Sequence, residues 1–323
     1  MDIRKAAESI KRGDLVAFPT ETVYGLGADA KNPEACDKIY KLKGRPSNNP
    51  LIVHVASTEE AQNYAIFNDD ALKLAKNLWP GPLTLVLPKN ARLPNELAEC
   101  VSAGLSTVAI RVPSSSIALE LIRMSGCPIA APSANKSGTL SSTTFDHVRK
   151  NFGHDIFILP SDNNSTYGLE STIIDLSTSA PTILRFGFIT IDILENILGK
   201  KVEIASKLSD IKAPGMLLKH YAPKTKLRLN ANHLEIAEVG LSFGQSVLQH
   251  TRSLNLSEKG DLIEAASNLF DYLHRLDEFC AHNNIVSIVV APIPNTAIGM
   301  AINDRLSRAA ENITTAKAHS SLK

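Results

Sequence analysis

KLKGRPSNNPLIVHV, Lys41 to Val55, changes character at its middle. Its first half places three cations, Lys41, Lys43 and Arg45, within five residues, and a glycine, two prolines, a serine and two asparagines interrupt or follow them. Its second half, LIVHV, has the apolar, β-branched make-up of a buried strand. Upstream, PEACDKIYKLKG opens on Pro33 and closes on Gly44, the polarity of a helix with a fixed φ at its start and a left-handed residue at its end. The segment therefore predicts a helix, a cationic turn rich in amides, and a strand. Charge gathered in a turn ahead of a buried strand points to an anionic ligand.

Outward from this segment the same alternation continues. Ile3, Ala6, Ala7 and Ile10 form a helical stripe stopped by Gly13, and LVAF (Leu15 to Phe18) follows as a short strand. Asn68 is placed to cap a helix running through Leu78. LTLVLP, TVAIRV, CPIAAP, DIFILP, STIIDL and TILRF are six further strand-like runs, with helical patterns at Ile117 to Met124 and Phe145 to Phe152. STIIDL and TILRF have no helix between them, so they are expected to pair antiparallel. This predicts a mixed α/β sheet domain over residues 1–205.

Ser206 to Lys226 has no clear period and reads as a linker. A passive tether would be Gly, Ser or charge, yet this one holds Met216, Leu217, Leu218, His220 and Tyr221, which can pack or bind. Beyond it, Gly260 to Asn283 reads as a long amphipathic helix on the stripe Leu262, Ala266, Leu269, Leu273, Leu276 and Cys280. IVSIVVAPI is a buried strand and Ala297 to Ala310 another helix. Residues 227–323 are thus expected to form a small C-terminal α/β domain, Rossmann-like, whose sheet is short of strands because little lies between Leu229 and Gly260.

The totals fit a cytoplasmic protein of about two domains. The chain has 323 residues, 44% hydrophobic and 21% charged, with a formal net charge of +1. A surface that grips nucleic acid throughout would be more basic. The four cysteines, Cys36, Cys100, Cys127 and Cys280, form no CxxC pair, so neither zinc nor a redox motif is indicated, and single buried thiols are expected. Residues 1–12 lack the apolar stretch of a signal peptide, and no run reaches a membrane helix's ~20 apolar residues.

Candidate chemistry lies at strand ends. GLGADA (Gly25 to Ala30) matches GxGxxA, but Asn32-Pro33 delays the helix and no acid follows at the right distance, so a glycine turn is the better reading. PTETVYGLG (Pro19 to Gly27) brings Thr20, Glu21 and Thr22 to a strand end. APSANKSG (Ala131 to Gly138) brings Ser133, Asn135, Lys136 and Ser137 to another, in a turn whose N–H groups and hydroxyls suit phosphate. Arg111 and Arg185 sit inside or at the end of apolar runs. A lone buried charge is costly, so each needs an anion: a ligand, or Glu21, Glu170 or Asp175 in a buried ion pair. His54 alternates with the apolar residues of its strand and by itself reads as a core histidine. No GxSxG or HExxH is present.

Taken together and in order, PTETVYGLG, KLKGRPSNNPLIVHV, WPGPLTLVLP, STVAIRVPS, APSANKSG and GLESTIIDL resemble the threonylcarbamoyl-AMP synthase family, with its YrdC-like fold of twisted mixed parallel and antiparallel sheet. KGR and SAN match that family's KxR and SxN motifs. APGMLLKHYAP resembles the linker of the long two-domain form, and AINDRLSRAA (Ala301 to Ala310) the end of its C-terminal domain. The resemblance implies an enzyme, a nucleotidyltransferase, that converts L-threonine, bicarbonate and ATP with Mg²⁺ to threonylcarbamoyl-AMP and pyrophosphate. A threonylcarbamoyl transferase acting on tRNA would take the product, and a weak contact with tRNA is allowed.

Carried onto matching positions, the resemblance gives threonine or its carbamate to Thr22, His54, Arg111, Ser133 and Ser171. It gives the nucleotide to Arg45, Asn49, Thr107, Ala131 (through its backbone), Ser141, Arg185 and Tyr221. Lys43, Arg45 and Arg111 would carry the chemistry, Lys136 would be a further phosphate contact, and no protein side chain would ligate metal. Tyr221, in the linker of residues 206–226, would close over the nucleotide as a lid. Phe186 and Ser142 stand where the family commonly has proline, which bears on loop rigidity. A structured-RNA-binding module of the same fold, without catalysis, is the alternative from another class.

Overall fold

A computed structural model describes residues 2–90, 97–161, 165–206, 213–214, 221–245, 248 and 252–310. The chain forms two compact units: Met1–Ser137 with Ser142–Met216, and Gly138–Ser141 with Leu217–Lys323.

The first unit begins with α1 (Ile3–Lys11), β1 (Val16–Phe18), β2 (Gly25–Asp29), α2 (Pro33–Lys43) and β3 (Ile52–His54). Asn32 caps α2 by accepting from the Ala35 N–H, and Gly44 ends it at φ 64°, as the Pro33-to-Gly44 polarity requires. Next come α3 (Thr58–Gln62), α4 (Asp69–Leu78), β4 (Leu83–Pro88), a 3₁₀ turn at Glu99–Ser102, β5 (Thr107–Arg111), α5 (Ser116–Ser125) and β6 (Ile129–Ala130). Asn68 caps α4 through the Ala71 N–H. The unit closes with α6 (Phe145–Phe152), β7 (Phe157–Ile158), β8 (Thr172–Asp175), β9 (Thr182–Arg185), α7 (Ile191–Leu198) and β10 (Glu203–Ile204).

Its ten strands form one mixed sheet in the order β10-β9-β8-β4-β5-β3-β6-β2-β1-β7. β8 and β9 pair antiparallel, as two strands joined without a helix should. One face carries the main core, where Ile39, Leu74 and Leu194 of α2, α4 and α7 meet Val53, Leu85, Ile110 and Ile174. On the other face α1 and α5 cover Val16, Phe18 and Ile129.

Two expectations change. GLGADA is no turn: it is strand β2. Its glycines serve packing, because a Cβ on Gly27 would lie 2.7 Å from Phe18 Cε1 and 2.8 Å from Ile129 Cγ2. The second unit also holds strands that the sequence reading does not single out. β11 (Lys226–Arg228), β12 (Glu238–Ser242), β13 (Leu254–Asn255) and β14 (Ser287–Val290) form a fully parallel sheet, order β11-β14-β12-β13. β12 escapes a sequence reading because its five residues include a glutamate and a glycine, and β13 because it has two residues. α8 (Leu262–Asn283) and α9 (Ile298–Ala310) complete this unit.

Most of the linker, 207–212 and 215–220, falls outside the described residues. Cys36, Cys127 and Cys280 are buried, Cys100 is half-buried, and all four thiols are free. No described helix is long and apolar enough to cross a membrane.

Candidate active site

Side chains alternate across a strand, so register decides which residues share a face. β3 and β5 run parallel with His54 opposite Arg111 and Ile52 opposite Ala109. Val86 of β4 lies opposite Ala109, Thr84 opposite Ile173 of β8, and Ile173 opposite Arg185 of β9. Ile52, Val86, Ala109, Ile173 and Leu184 make a small apolar patch there, joined by Ala213. Around that patch the sheet carries His54, Thr84, Thr107, Arg111 and Arg185. The strands thus bring to one face residues that span more than 130 positions of sequence.

Arg111 is 3% exposed. Its Nη2 pairs with Glu21 Oε1 at 2.5 Å, Nη1 donates to Thr22 Oγ1 at 3.0 Å, and Nε donates to Gly81 O at 3.1 Å. Glu21 is thus the buried ion-pair partner weighed from the sequence. Burial acts to raise the Glu21 carboxyl, but the charge and hydrogen bond of Arg111 outweigh it and hold it below the usual range. The other Glu21 oxygen accepts from the Ser115 N–H at 3.2 Å. Thr22 shares a 2.8 Å hydrogen bond with Thr20. The guanidinium is therefore fixed in orientation, since it is bound on three sides.

The KGR and SAN motifs form one structure. Lys43 Nζ donates to the carbonyl oxygen of Ser133 at 2.6 Å and to that of Asn135. In return the Ser137 N–H donates to Lys43 O at 2.8 Å. Lys136 Nζ reaches back to Leu42 O, a carbonyl of the last turn of α2, at 2.7 Å. Burial, then the nearby charges of Arg45 and Lys136, pull Lys43 well below the usual lysine value. Arg45 donates from Nε to Asn49 O at 3.0 Å and from Nη2 to Pro50 O at 2.8 Å, so its side chain folds back over its own turn.

Arg185 donates from Nε to Ser171 O at 3.1 Å, from Nη2 to Ser171 Oγ at 3.1 Å, and from Nη1 to Pro214 O at 3.4 Å. Ser171 Oγ also shares a 2.7 Å hydrogen bond with Thr84 Oγ1. His54 is buried against the Phe18 ring, edge to face at 6.1 Å. Burial, with the charge of Arg111 beside it, lowers His54 to about 3, so the imidazole is neutral. Its Nδ1 and the side-chain oxygen Oδ1 of Asn49 are buried without a hydrogen-bond partner among the described residues. Buried polar atoms are nearly always paired, so two such atoms beside a set of cations favour a polar ligand.

The remaining candidates divide between the units. The Ala131 N–H is spent on Ile52 O, so a ligand contact there would use the carbonyl. Ser142 Oγ donates to Ala134 O at 2.7 Å, tying the loop to the SAN turn where a proline could not. Phe186 packs against the main core. Ser141 and Tyr221 group with the second unit. There Ser141 O lies 3.1 Å from His274 Nε2. Tyr221 is buried with φ 66°, its ring 5.7 Å from that of Phe270 and 5.0 Å from the guanidinium carbon of Arg305.

Thr84 is missing from the sequence-based site, and Glu21 was given no place among its binding residues. Thr84 had a signal, as the one hydroxyl in the apolar run LTLVLP. Glu21 was weighed from the sequence as a possible ion-pair partner, and the structure makes it the residue that orients Arg111. Among the described residues no group of three or more His, Cys, Asp or Glu side chains is placed to hold a metal ion.

Comparison with known proteins agrees over nearly the whole length. A family model described as Telomere recombination, of the Sua5–YciO–YrdC group, matches residues 8–187. A second, described as Threonylcarbamoyl-AMP synthase, C-terminal domain, matches residues 189–311. The chain is 38% identical over 328 residues to threonylcarbamoyl-AMP synthase of Bacillus subtilis, covering 95% of this chain and 92% of the relative. It is 38% identical over 325 residues to the Pyrococcus abyssi protein of the same name, covering 95% and 93%. The crystal structure of P. abyssi Sua5 complexed with L-threonine superposes with a TM-score of 0.86 at 37% identity, over 96% of this chain and 94% of that one. The two-unit fold, the joined KGR and SAN motifs and these full-length likenesses have one reading: the chain belongs to the threonylcarbamoyl-AMP synthase family.

Proposed function

We propose that this protein makes threonylcarbamoyl-AMP and pyrophosphate from L-threonine, bicarbonate and ATP. The observation that carries the reading is a single sheet face with fixed guanidinium groups, Arg111 and Arg185, set around an apolar patch. Such a surface is suited to hold two anionic substrates side by side. The P. abyssi protein bound to L-threonine supports threonine as one of them.

In this reading the threonine amine and bicarbonate condense to a carbamate with loss of water. A carbamate oxygen then attacks the α-phosphorus of ATP, the bond to the β-phosphate oxygen breaks, and pyrophosphate leaves. Both reactants are anions and repel, so the protein's task is to hold them together against that repulsion. Arg111, oriented by Glu21 and Thr22, takes the threonine carboxylate, with His54, Ser133 and Ser171 around the rest of the amino acid. Arg45, Asn49, Thr107, the Ala131 carbonyl and Arg185 take the nucleotide. Lys43 orders the SAN turn and adds positive charge as phosphates approach, with Lys136 behind it. Mg²⁺ would arrive on the phosphates of ATP. No side-chain nucleophile is required. The product would pass to a transferase that modifies tRNA.

The test is pyrophosphate release by purified protein given ATP, Mg²⁺, bicarbonate and each amino acid in turn, with Arg45→Ala alongside. Release that needs both threonine and bicarbonate, and is lost in the variant, is expected. Release with no amino-acid preference, or none from folded protein, would overturn the proposal.

A further inference from the structure

The second unit carries a cavity of its own. Its strands are all parallel, and the carboxyl ends of the neighbours β11 and β14 open onto a space of about 320 Å³. The chain leaves these two strands in different directions. After β11, Ala231 and Leu234 join Leu248, Val289 and Ala291 in a small apolar cluster. After β14 the chain enters α9, which packs on β11 and on α8, and α8 packs on β12 and β14. Val289 faces the apolar cluster, so by alternation Ile288 and Val290 face the other side, and Val290 shares the cavity wall with Asn303, Leu306 and Ser307 of α9. The two outgoing connections therefore take opposite faces of the sheet. A crevice between adjacent parallel strands whose connections diverge is left open at the strands' carboxyl ends, which is where α/β sheets bind small molecules.

The walls define the ligand's chemistry. Ile293 and Leu306 supply apolar surface, Asn230, Asn295 and Asn303 supply carboxamides, and Ser307 a hydroxyl. None of the described lining side chains is charged. Asn303 Nδ2 donates to Ile293 O at 3.1 Å and to Asn295 Oδ1 at 3.3 Å, which orients both amides. Asn230 is held at φ 54°, a left-handed conformation that asparagine tolerates better than most residues. With both Asn303 N–H groups spent on the wall, Asn303 Oδ1 is left as an acceptor and Asn295 Nδ2 as a donor, together the complement of a heterocycle edge that carries both. The apolar residues suit the ring faces. A phosphate would be desolvated there without a cation to meet it.

We propose that this cavity is a second ligand site, specific for a neutral purine base or nucleoside and independent of ATP and threonine binding. It stands whether or not pyrophosphate release is observed. The full chain, saturated with ATP and threonine, is titrated calorimetrically with adenosine, guanosine and inosine, and then with AMP. One nucleoside is expected to bind under these conditions and AMP to bind at least about tenfold more weakly. Ser307→Trp, a bulky change at an exposed position, should weaken nucleoside binding by about tenfold or more, and so should Asn303→Leu. The proposal is overturned if no nucleoside binds beside ATP and threonine, if AMP binds as well as the nucleoside, or if binding survives either folded variant.

Discussion

Lys43 and Ser133 stand 90 residues apart in the chain, yet the Lys43 side chain donates to the Ser133 carbonyl oxygen at 2.6 Å. The same nitrogen holds Asn135 O, so the last residue of a helix fixes the shape of a distant turn. Lys43→Met would leave both carbonyls without that donor, at roughly 1–3 kcal/mol each. The SAN turn should loosen. Calorimetric ATP binding should fall by about tenfold or more, with threonine binding less affected. Unchanged ATP affinity would show that the turn does not depend on this lysine.

Glu21 and Arg111 are a buried pair whose removal by halves is costly. Glu21→Gln leaves the guanidinium opposite a neutral amide and should destabilise the fold by roughly 3–5 kcal/mol in urea unfolding. Glu21→Gln with Arg111→Gln should cost less than the two single changes added together. Added threonine should raise the melting temperature of Glu21→Gln more than that of the wild type, because its carboxylate supplies the missing charge. Equal shifts would count against Arg111 as the carboxylate's partner.

His54 should make stability fall in mild acid. Its folded value of about 3 lies below its unfolded value of 6.5. Between the two, the unfolded chain binds a proton that the folded chain refuses. Stability therefore rises with pH through this window and is lost on acidification, by about 1.4 kcal/mol per pH unit. Urea unfolding of wild type and His54→Gln from pH 6.5 down to pH 5 measures this. The variant should show the shallower slope, and parallel slopes would mean that His54 protonates within the fold.

Gly27 tests the strand that replaced an expected turn. The new methyl of Gly27→Ala would press on Phe18 and Ile129, and overpacking of this kind costs about 1–3 kcal/mol. A loss of that size in chemical denaturation is expected, and a neutral outcome would mean that the Phe18 ring can move aside.

Much of the first unit was legible in its sequence because its signals are local. Pro33, Gly44 and Asn68 act within one turn of chain, and LIVHV and TVAIRV are mostly apolar runs rich in β-branched residues. The shared face was not legible, because it depends on which strands become neighbours. Nothing in TILRF says that Arg185 will lie opposite Ile173 and bind Ser171. Likewise Lys43 reads as a free cation in KLKGR, and only the approach of the SAN turn gives it two carbonyl partners. The resemblance to a family named candidate residues without showing which of them hold one another.

The second unit is made of two stretches of chain, Gly138–Ser141 and Leu217 onward. Within it the Ala222 N–H donates to Gly138 O at 2.9 Å, and Thr139 bridges to Ala222. In genetic terms, one crossover between 141 and 217 separates what folds together. A recombinant that inherits the second unit from one parent and the first from another receives residues 138–141 from the wrong side. Exchange between diverged relatives is therefore constrained by four codons far upstream of the unit they serve, and those codons should track the sequence of the second unit and not that of their own neighbours.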